Sequence, residues 1–139
     1  MKKLLFLLVV ASMASCQLFK PIVINPKRDP AMVPAIVHCL AMTDSLFVSI
    51  QHSEDRSYAP FETRYTIIKS TLDSIYTVDI VRLKSNNIIS IVGINIKLFK
   101  QFTDQHKAVA SLGVRQAEIN QLQMKAAYKS LLTAEKALK

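Results

Sequence analysis

The side chains best suited to catalysis or metal binding are few and widely separated in this sequence. His38, His52 and His106 are widely separated along the chain, and no two are four residues apart. That spacing is the one that places two imidazoles on the same face of a helix. His38 directly precedes Cys39, but neighbouring residues of a helix point about 100° apart, so the two do not form a catalytic dyad. We expect Cys39 to be buried and free, and a disulfide to another chain is the alternative.

Other signatures of enzymatic chemistry are missing as well. The chain has only two glycines, and it contains neither a Gly-x-Ser-x-Gly turn nor a glycine-rich phosphate-binding loop. His52, Glu54 and Asp55 form the best local group of potential metal ligands, but in a polar loop such side chains are more often solvated. We therefore predict a noncatalytic protein that needs no cofactor and no metal.

The charge of the chain is positive and unevenly distributed. The formal net charge is +8. Residues 16–81 carry six Lys or Arg against seven Asp or Glu, whereas residues 82–139 carry ten against three. A cationic segment attracts anionic lipids or the carboxylates of peptidoglycan, and a solvated helix face is the alternative interpretation. The candidate contact residues are Lys97, Lys100, Lys107, Arg115, Lys125, Lys129 and Lys136.

The first fifteen residues have the pattern of a signal peptide. Met1 is followed by Lys2 and Lys3, and residues 4–11 are continuously apolar. This run is too short to span a hydrocarbon core of about 30 Å. Small residues then lead into Cys16, as expected before a cleavage site. Removal of residues 1–15 leaves a mature net charge of +6.

The end of this leader also carries a family signature. Met13-Ala14-Ser15-Cys16 resembles the lipobox of bacterial lipoproteins, although Met13 stands where Leu is usual. The resemblance implies diacylglycerol on the Cys16 thiol, cleavage just before it, and a further acyl chain such as palmitate on the new amino terminus. Gln17, in place of an Asp, implies the outer membrane facing the periplasm rather than the inner membrane. Cleavage after Ala14, releasing a soluble protein, is the alternative.

Residues 16–34 are predicted to form the lipidated cysteine and a tether. Pro21, Pro26, Pro30 and Pro34 recur every four or five residues, which opposes a continuous helix and favours an extended chain. The helical domain is then expected to occupy residues 35–139.

Two helices are predicted in the first part of this domain. The first covers residues 35–52, and the polar segment 53–60 follows as a loop. The second starts at Phe61 and ends near Asn86, with apolar residues at three- and four-residue spacing. Many β-branched residues make a strand over Tyr76–Leu83 the main alternative.

A long third helix is predicted from Ile88 to the C-terminus, bent at Gly113. No proline occurs in this stretch, and apolar residues follow a seven-residue spacing. The predicted fold is therefore all-α, a three-helix bundle with a long C-terminal helix, preceded by a proline-spaced tether. The spaced residues are Ile91, Leu98, Leu112, Ile119 and Ala126.

These features favour a membrane-anchored envelope lipoprotein. Its helical domain is expected to bind a periplasmic protein or to assist assembly. One alternative is a structural spacer that contacts peptidoglycan through the basic C-terminal helix. Another is a lipoprotein of phage or plasmid type that blocks entry or assists lysis. An exported chain is not expected to bind nucleic acid.

Overall fold

The computed structural model of the protein describes residues 28–83 and 87–138. The leader, Cys16 and the predicted tether up to residue 27 lie outside this part of the chain. All regular structure within it is helical: α1 (Met32–His52), α2 (Glu62–Leu83), α3 (Asn87–Ala108) and α4 (Val114–Lys136), with a short 3-10 helix over Ala59–Phe61. The all-α prediction is confirmed.

Helix α1 begins three residues earlier than predicted, at Met32 rather than at Ala35. Pro34 lies in its first turn, where a backbone N–H has no partner within the helix, so its absence has no cost. Asp29 precedes the helix and accepts the Ala31 N–H through its side chain at 2.8 Å. The segment predicted as tether therefore ends before Met32.

Helix α2 runs without interruption through Leu83, so the alternative of a strand over Tyr76–Leu83 is wrong. From Ile75 to Leu83 the buried residues are Ile75, Asp79 and Leu83, which repeat every four positions, whereas a strand buries alternate residues. The threonines of α2 fit a helix because Thr66, Thr71 and others donate their hydroxyls to carbonyls one turn earlier.

The predicted third helix is two helices, because the chain turns between Ala108 and Val114. Leu112 is buried in this turn, and its N–H donates to the carbonyl of Arg56 at 2.9 Å. The predicted seven-residue spacing continues across this turn as if the helix were unbroken, so it does not describe the core. Ile119 and Ala126, for example, are exposed. The buried row of α4 is Ala117, Asn120, Met124, Tyr128, Leu131 and Glu135.

The four helices form a ring in which each packs against the next. Helix α1 packs on α2, α2 on α3, α3 on α4, and α4 returns to α1 with the most extensive contact. The connections 53–61 and 109–113 meet at one end, joined by the Leu112–Arg56 hydrogen bond. Residue 28 and the C-terminus of α4 lie at the other end, called here the tether end. The ring gives the bundle four sides, each formed by two neighbouring helices.

Candidate functional site

Helix α1 has an unusually apolar solvent-exposed face. It is the one helix in the described residues that is long and apolar enough to cross a membrane, with a mean hydropathy of 1.6 over its most apolar window, of which 33% is buried. A core helix of a soluble bundle has the same properties. The remaining face is exposed and carries no formal charge. We call it the α1 outer stripe, and it consists of Pro34, Val37, His38, Ala41, Ser45, Val48 and His52.

A groove between α1 and α2 borders one edge of this stripe. Its volume is about 320 Å³. The one charged group in its lining is Arg64, whose guanidinium donates to the hydroxyls of Ser49 and Ser45 across the groove, at 2.7 and 2.9 Å. The other lining residues are His38, Ala41, Met42, Ile67 and Ile68. The groove is therefore mainly apolar and suits an apolar side chain or helix face.

The exposed surface of α2 continues this apolar area. Ile67, Val78 and Val81 have exposures of 50%, 43% and 74%, and their spacing places them along one side of the helix. Ser70, Thr71 and Ser74 lie between them on that side, and an arginine stands one turn before Ile67 and one turn after Val78. The surface is therefore mixed, with exposed aliphatic side chains among hydroxyls, and Val78 and Val81 are neighbouring apolar side chains one turn apart. We call this row the α2 row.

A second groove, between α1 and α4, borders the other edge of the α1 outer stripe. Its volume is about 520 Å³, and its apolar lining comes from both helices. Lys125 and Lys129 stand on the α4 edge, and Asp44 on the α1 edge forms a 2.7 Å ion pair with Lys125. Partial burial opposes ionisation of Asp44, but hydrogen bonds from Lys125 and Gln121 hold its pKa below the ordinary value. The apolar lining residues are Val37, Leu40, Ala41 and Leu132.

The seven cationic residues singled out in the sequence do not form one stripe, because the turn at Gly113 divides them between two helices. Lys100 and Lys107 line a groove between α2 and α3, on the side of the bundle opposite to Lys125 and Lys129. Lys100 is paired with Asp104, and Lys107 lies over the ring of Tyr58, 4.8 Å from its centroid. The remaining three, Lys97, Arg115 and Lys136, are exposed.

Cys39 is buried and free, as expected. Its sulfur lies 3.1 Å from the hydroxyl of Tyr128, which also lies 3.1 Å from the Thr43 hydroxyl, so α1 and α4 are joined by polar contacts inside the core. Burial raises the pKa of the Cys39 thiol and of the Tyr128 phenol. A protonated thiol without access to solvent is not a nucleophile, so this cluster is structural.

His106 is also fully buried, and its hydrogen bonds explain its position. Its Nε2 lies 2.9 Å from the carbonyl of Arg56, so Nε2 carries the proton and donates. Its Nδ1 then accepts the Tyr65 hydroxyl at 3.0 Å. The ring joins α3, α2 and the loop after α1, and no nitrogen remains for a metal ion.

A third buried cluster lies towards the tether end. The guanidinium Nη2 of Arg82 donates to the carboxylates of Asp79 and Glu135, and both acidic side chains are fully buried. Asp79 Oδ2 and Glu135 Oε2 accept no hydrogen bond within the described part of the chain. Burial and the adjacent Asp79 carboxylate raise the pKa of Glu135, because the ionised form is disfavoured away from solvent and beside a second anion.

The described residues contain no group of three or more potential ligands that could hold a metal ion. His38 and His52 are both exposed on α1, and His52 bonds the carbonyl of Val48 one turn earlier. Cys16, the predicted lipid attachment residue, lies outside the described residues. The sequence does not reveal the buried clusters, because their polar residues interrupt the apolar patterns. The closest contacts that join different elements in these clusters link residues 41 to 89 positions apart.

Comparisons with protein-family models, with curated proteins and with solved structures find no match to this chain. The candidate surfaces therefore rest on their own chemistry.

The raised pKa of Glu135 generates a prediction about stability. A folded-state pKa above the unfolded value contributes stability that is complete below the unfolded pKa and is lost as the pH rises through the folded one. Glu135→Gln imitates the protonated acid, so we expect a higher thermal midpoint than the parent at pH 7 and a difference that shrinks towards pH 4. Thermal unfolding followed by circular dichroism measures this.

Glu118→Gln is the matched control, because Glu118 is exposed on the same helix. It removes the same charge, and we expect little change in the midpoint at either pH. If Glu135→Gln were less stable than the parent at pH 7 and this deficit shrank towards pH 4, the ion pair with Arg82 would outweigh the burial of the charge, which would contradict the prediction.

Proposed function

We propose that this protein is a membrane-anchored bacterial envelope lipoprotein whose helical domain is a noncatalytic binding module for a periplasmic protein. In this account lipid on Cys16 holds the chain at a membrane. Gln17 after the lipidated cysteine favours the outer membrane, with the domain facing the periplasm, over the inner membrane. The residues between Cys16 and α1 act as a tether, and the four-helix domain presents the binding surface.

One observation carries the binding role: the α2 row exposes Ile67, Val78 and Val81 beside the mainly apolar α1–α2 groove. Contact of exposed valine and isoleucine side chains with water is unfavourable, so a partner that covers them gains free energy of burial. An apolar or uncharged helix of another protein fits this surface, since helix-in-groove binding uses apolar anchors one turn apart.

The polar groups of the domain support a noncatalytic role. The side chains of Cys39, Asp79, His106 and Glu135 are fully buried, and each is engaged in a structural cluster. None of them lines one of the grooves between α1 and its neighbours. The alternative of a spacer that contacts peptidoglycan has less support than protein binding. The cationic residues that would make this contact are divided between opposite sides of the bundle.

The anchor is tested by intact mass and membrane fractionation of the protein expressed in bacteria. We expect a mature chain that begins at Cys16 and carries added acyl mass in the membrane fraction. Cys16→Ser removes the thiol that accepts the lipid, so its product should lack acyl mass. A mature chain beginning at Ser15 without lipid would contradict the anchor.

The binding surface is tested by a photo-crosslinking residue at Val78 in the lipidated protein within the producing cells. Ile94 on α3 is the matched control site, because it is also an exposed aliphatic residue, at 58% against 43% for Val78. We expect one defined adduct with another envelope protein from Val78 and not from Ile94, and a second substitution, Ile67→Asp, should abolish it. An adduct of twice the chain mass, or the same adducts from both sites, would contradict the proposal.

A further inference from the structure

We infer that the side of the bundle formed by α1 and α4 rests on an anionic lipid bilayer, so that the anchored domain lies on this side. This deepens the proposed function and rests on its lipid anchor. It leaves the neighbouring side, formed by α1 and α2, open to the protein partner.

The chemistry of this side matches the interface of a bilayer. Lys125, Lys129 and Lys136 are four and seven residues apart, which places them on one side of α4, and Lys125 and Lys129 border the groove. Between them and α1 lie Leu132, Val37 and other apolar side chains. An apolar strip flanked by lysines binds anionic membranes, because the apolar groups enter the headgroup region while the ammonium groups contact phosphates.

The acidic residue on this side does not reverse its charge. Asp44 is the one carboxylate that lines the α1/α4 groove, and its ion pair with Lys125 offsets one of the three lysines. Since hydrogen bonds and Lys125 keep the pKa of Asp44 low, it remains ionised, and the three lysines and Asp44 together carry a charge of +2 at neutral pH. The exposed Glu118 shares this side of α4 but lies seven residues before Lys125, towards the other end of the bundle. Lys129 is exposed, and no ion pair of the described residues includes it.

The proposed anchor brings this side close to the membrane. Eleven residues lie between Cys16 and Arg28, where the described structure begins. That length of chain spans at most about 40 Å, and it enters α1 at the tether end. The groove uses the first half of α1 and the second half of α4, so it lies in the half of the bundle nearest that end. A tether of this length gives an effective concentration in the millimolar range, so even a weak surface contact is populated.

The opposite side of the bundle provides a contrast with the same number of lysines. The groove between α2 and α3 is lined by Lys69, Lys100 and Lys107, but two of these lysines are paired with acids on their own helices and the third covers the ring of Tyr58. Its lining also includes Thr66, Thr103 and Asp104. No aliphatic side chain of the described residues lines this groove, in contrast to the α1/α4 groove, so we expect this side to face away from the bilayer.

The test uses the lipidated full-length protein in nanodiscs with brominated acyl chains, which quench tryptophan on contact. The chain contains no tryptophan, so Val37→Trp reports from the α1/α4 side and Ile94→Trp from α3, diagonally across the bundle. Both positions lie within the first eight residues of their helices, at the tether end. We expect quenching of Val37→Trp in discs with anionic lipid, less quenching in zwitterionic discs or at 1 M salt, and none for Ile94→Trp.

Paired charge variants make the test specific. In the Val37→Trp protein, Lys125→Ala with Lys129→Ala should lower the docking equilibrium constant about tenfold, while Lys100→Ala with Lys107→Ala, which removes the same charge, should leave it unchanged. If the two double variants lowered the docking equilibrium constant equally, the proposed orientation would be overturned. Equal quenching of the tryptophans at positions 37 and 94 would also overturn it. Unchanged circular dichroism in each variant verifies the fold.

Failure of the anchor gives a different result. A chain without acyl mass does not remain with the discs, which contradicts the proposed function. Flotation of that chain with anionic vesicles then tests the surface by itself. Flotation that is lost when Lys125 and Lys129 are replaced by Ala supports the docking, and absence of flotation at low salt contradicts it.

Discussion

The packing of α1 against α4 is the contact on which the other features of the molecule depend. These are the first and last helices of the described chain, and they share the most extensive interface in the ring. The Tyr128 hydroxyl lies between the Cys39 thiol and the Thr43 hydroxyl, both on α1. A buried polar group without a partner costs about 1–3 kcal/mol, so sliding or rotating one helix against the other is opposed. The register of α1 on α4 is thereby defined.

This register decides which residues remain exposed. With Cys39 and Thr43 turned inward, Val37 and Ala41 are turned outward, and the uncharged stripe of α1 faces solvent. The same register places Lys125 beside Asp44 and opens the groove with the aliphatic lining. The Asp79–Arg82–Glu135 cluster then joins α2 to α4 near the tether end, and His106 joins α3 to the opposite loop. Rigid packing and the surfaces proposed for membrane and partner thus have the same origin.

Helix content was predictable from the sequence, and the number of helices was not. The three- and four-residue spacing of Tyr65, Ile68 and Leu72 predicts the buried face of α2 correctly. The turn before α4 has no proline, and its cause is tertiary: the buried Leu112 and its hydrogen bond to a loop more than 50 residues earlier. The candidate surfaces were less predictable still. The lysines were visible in the sequence, but only the ring of helices separates Lys125 from Lys100 and places the former beside an apolar groove.

Reactivity of Cys39 tests the central packing most directly. In the Cys16→Ser protein it is the only thiol, because the chain has two cysteines. If α1 packs on α4 as described, a water-soluble maleimide does not modify Cys39 in the native protein. In a urea series, modification should then appear in one transition whose midpoint coincides with the loss of helical circular dichroism. Modification of the native protein at the rate of a free thiol would contradict the account, and so would modification well before the helices unfold.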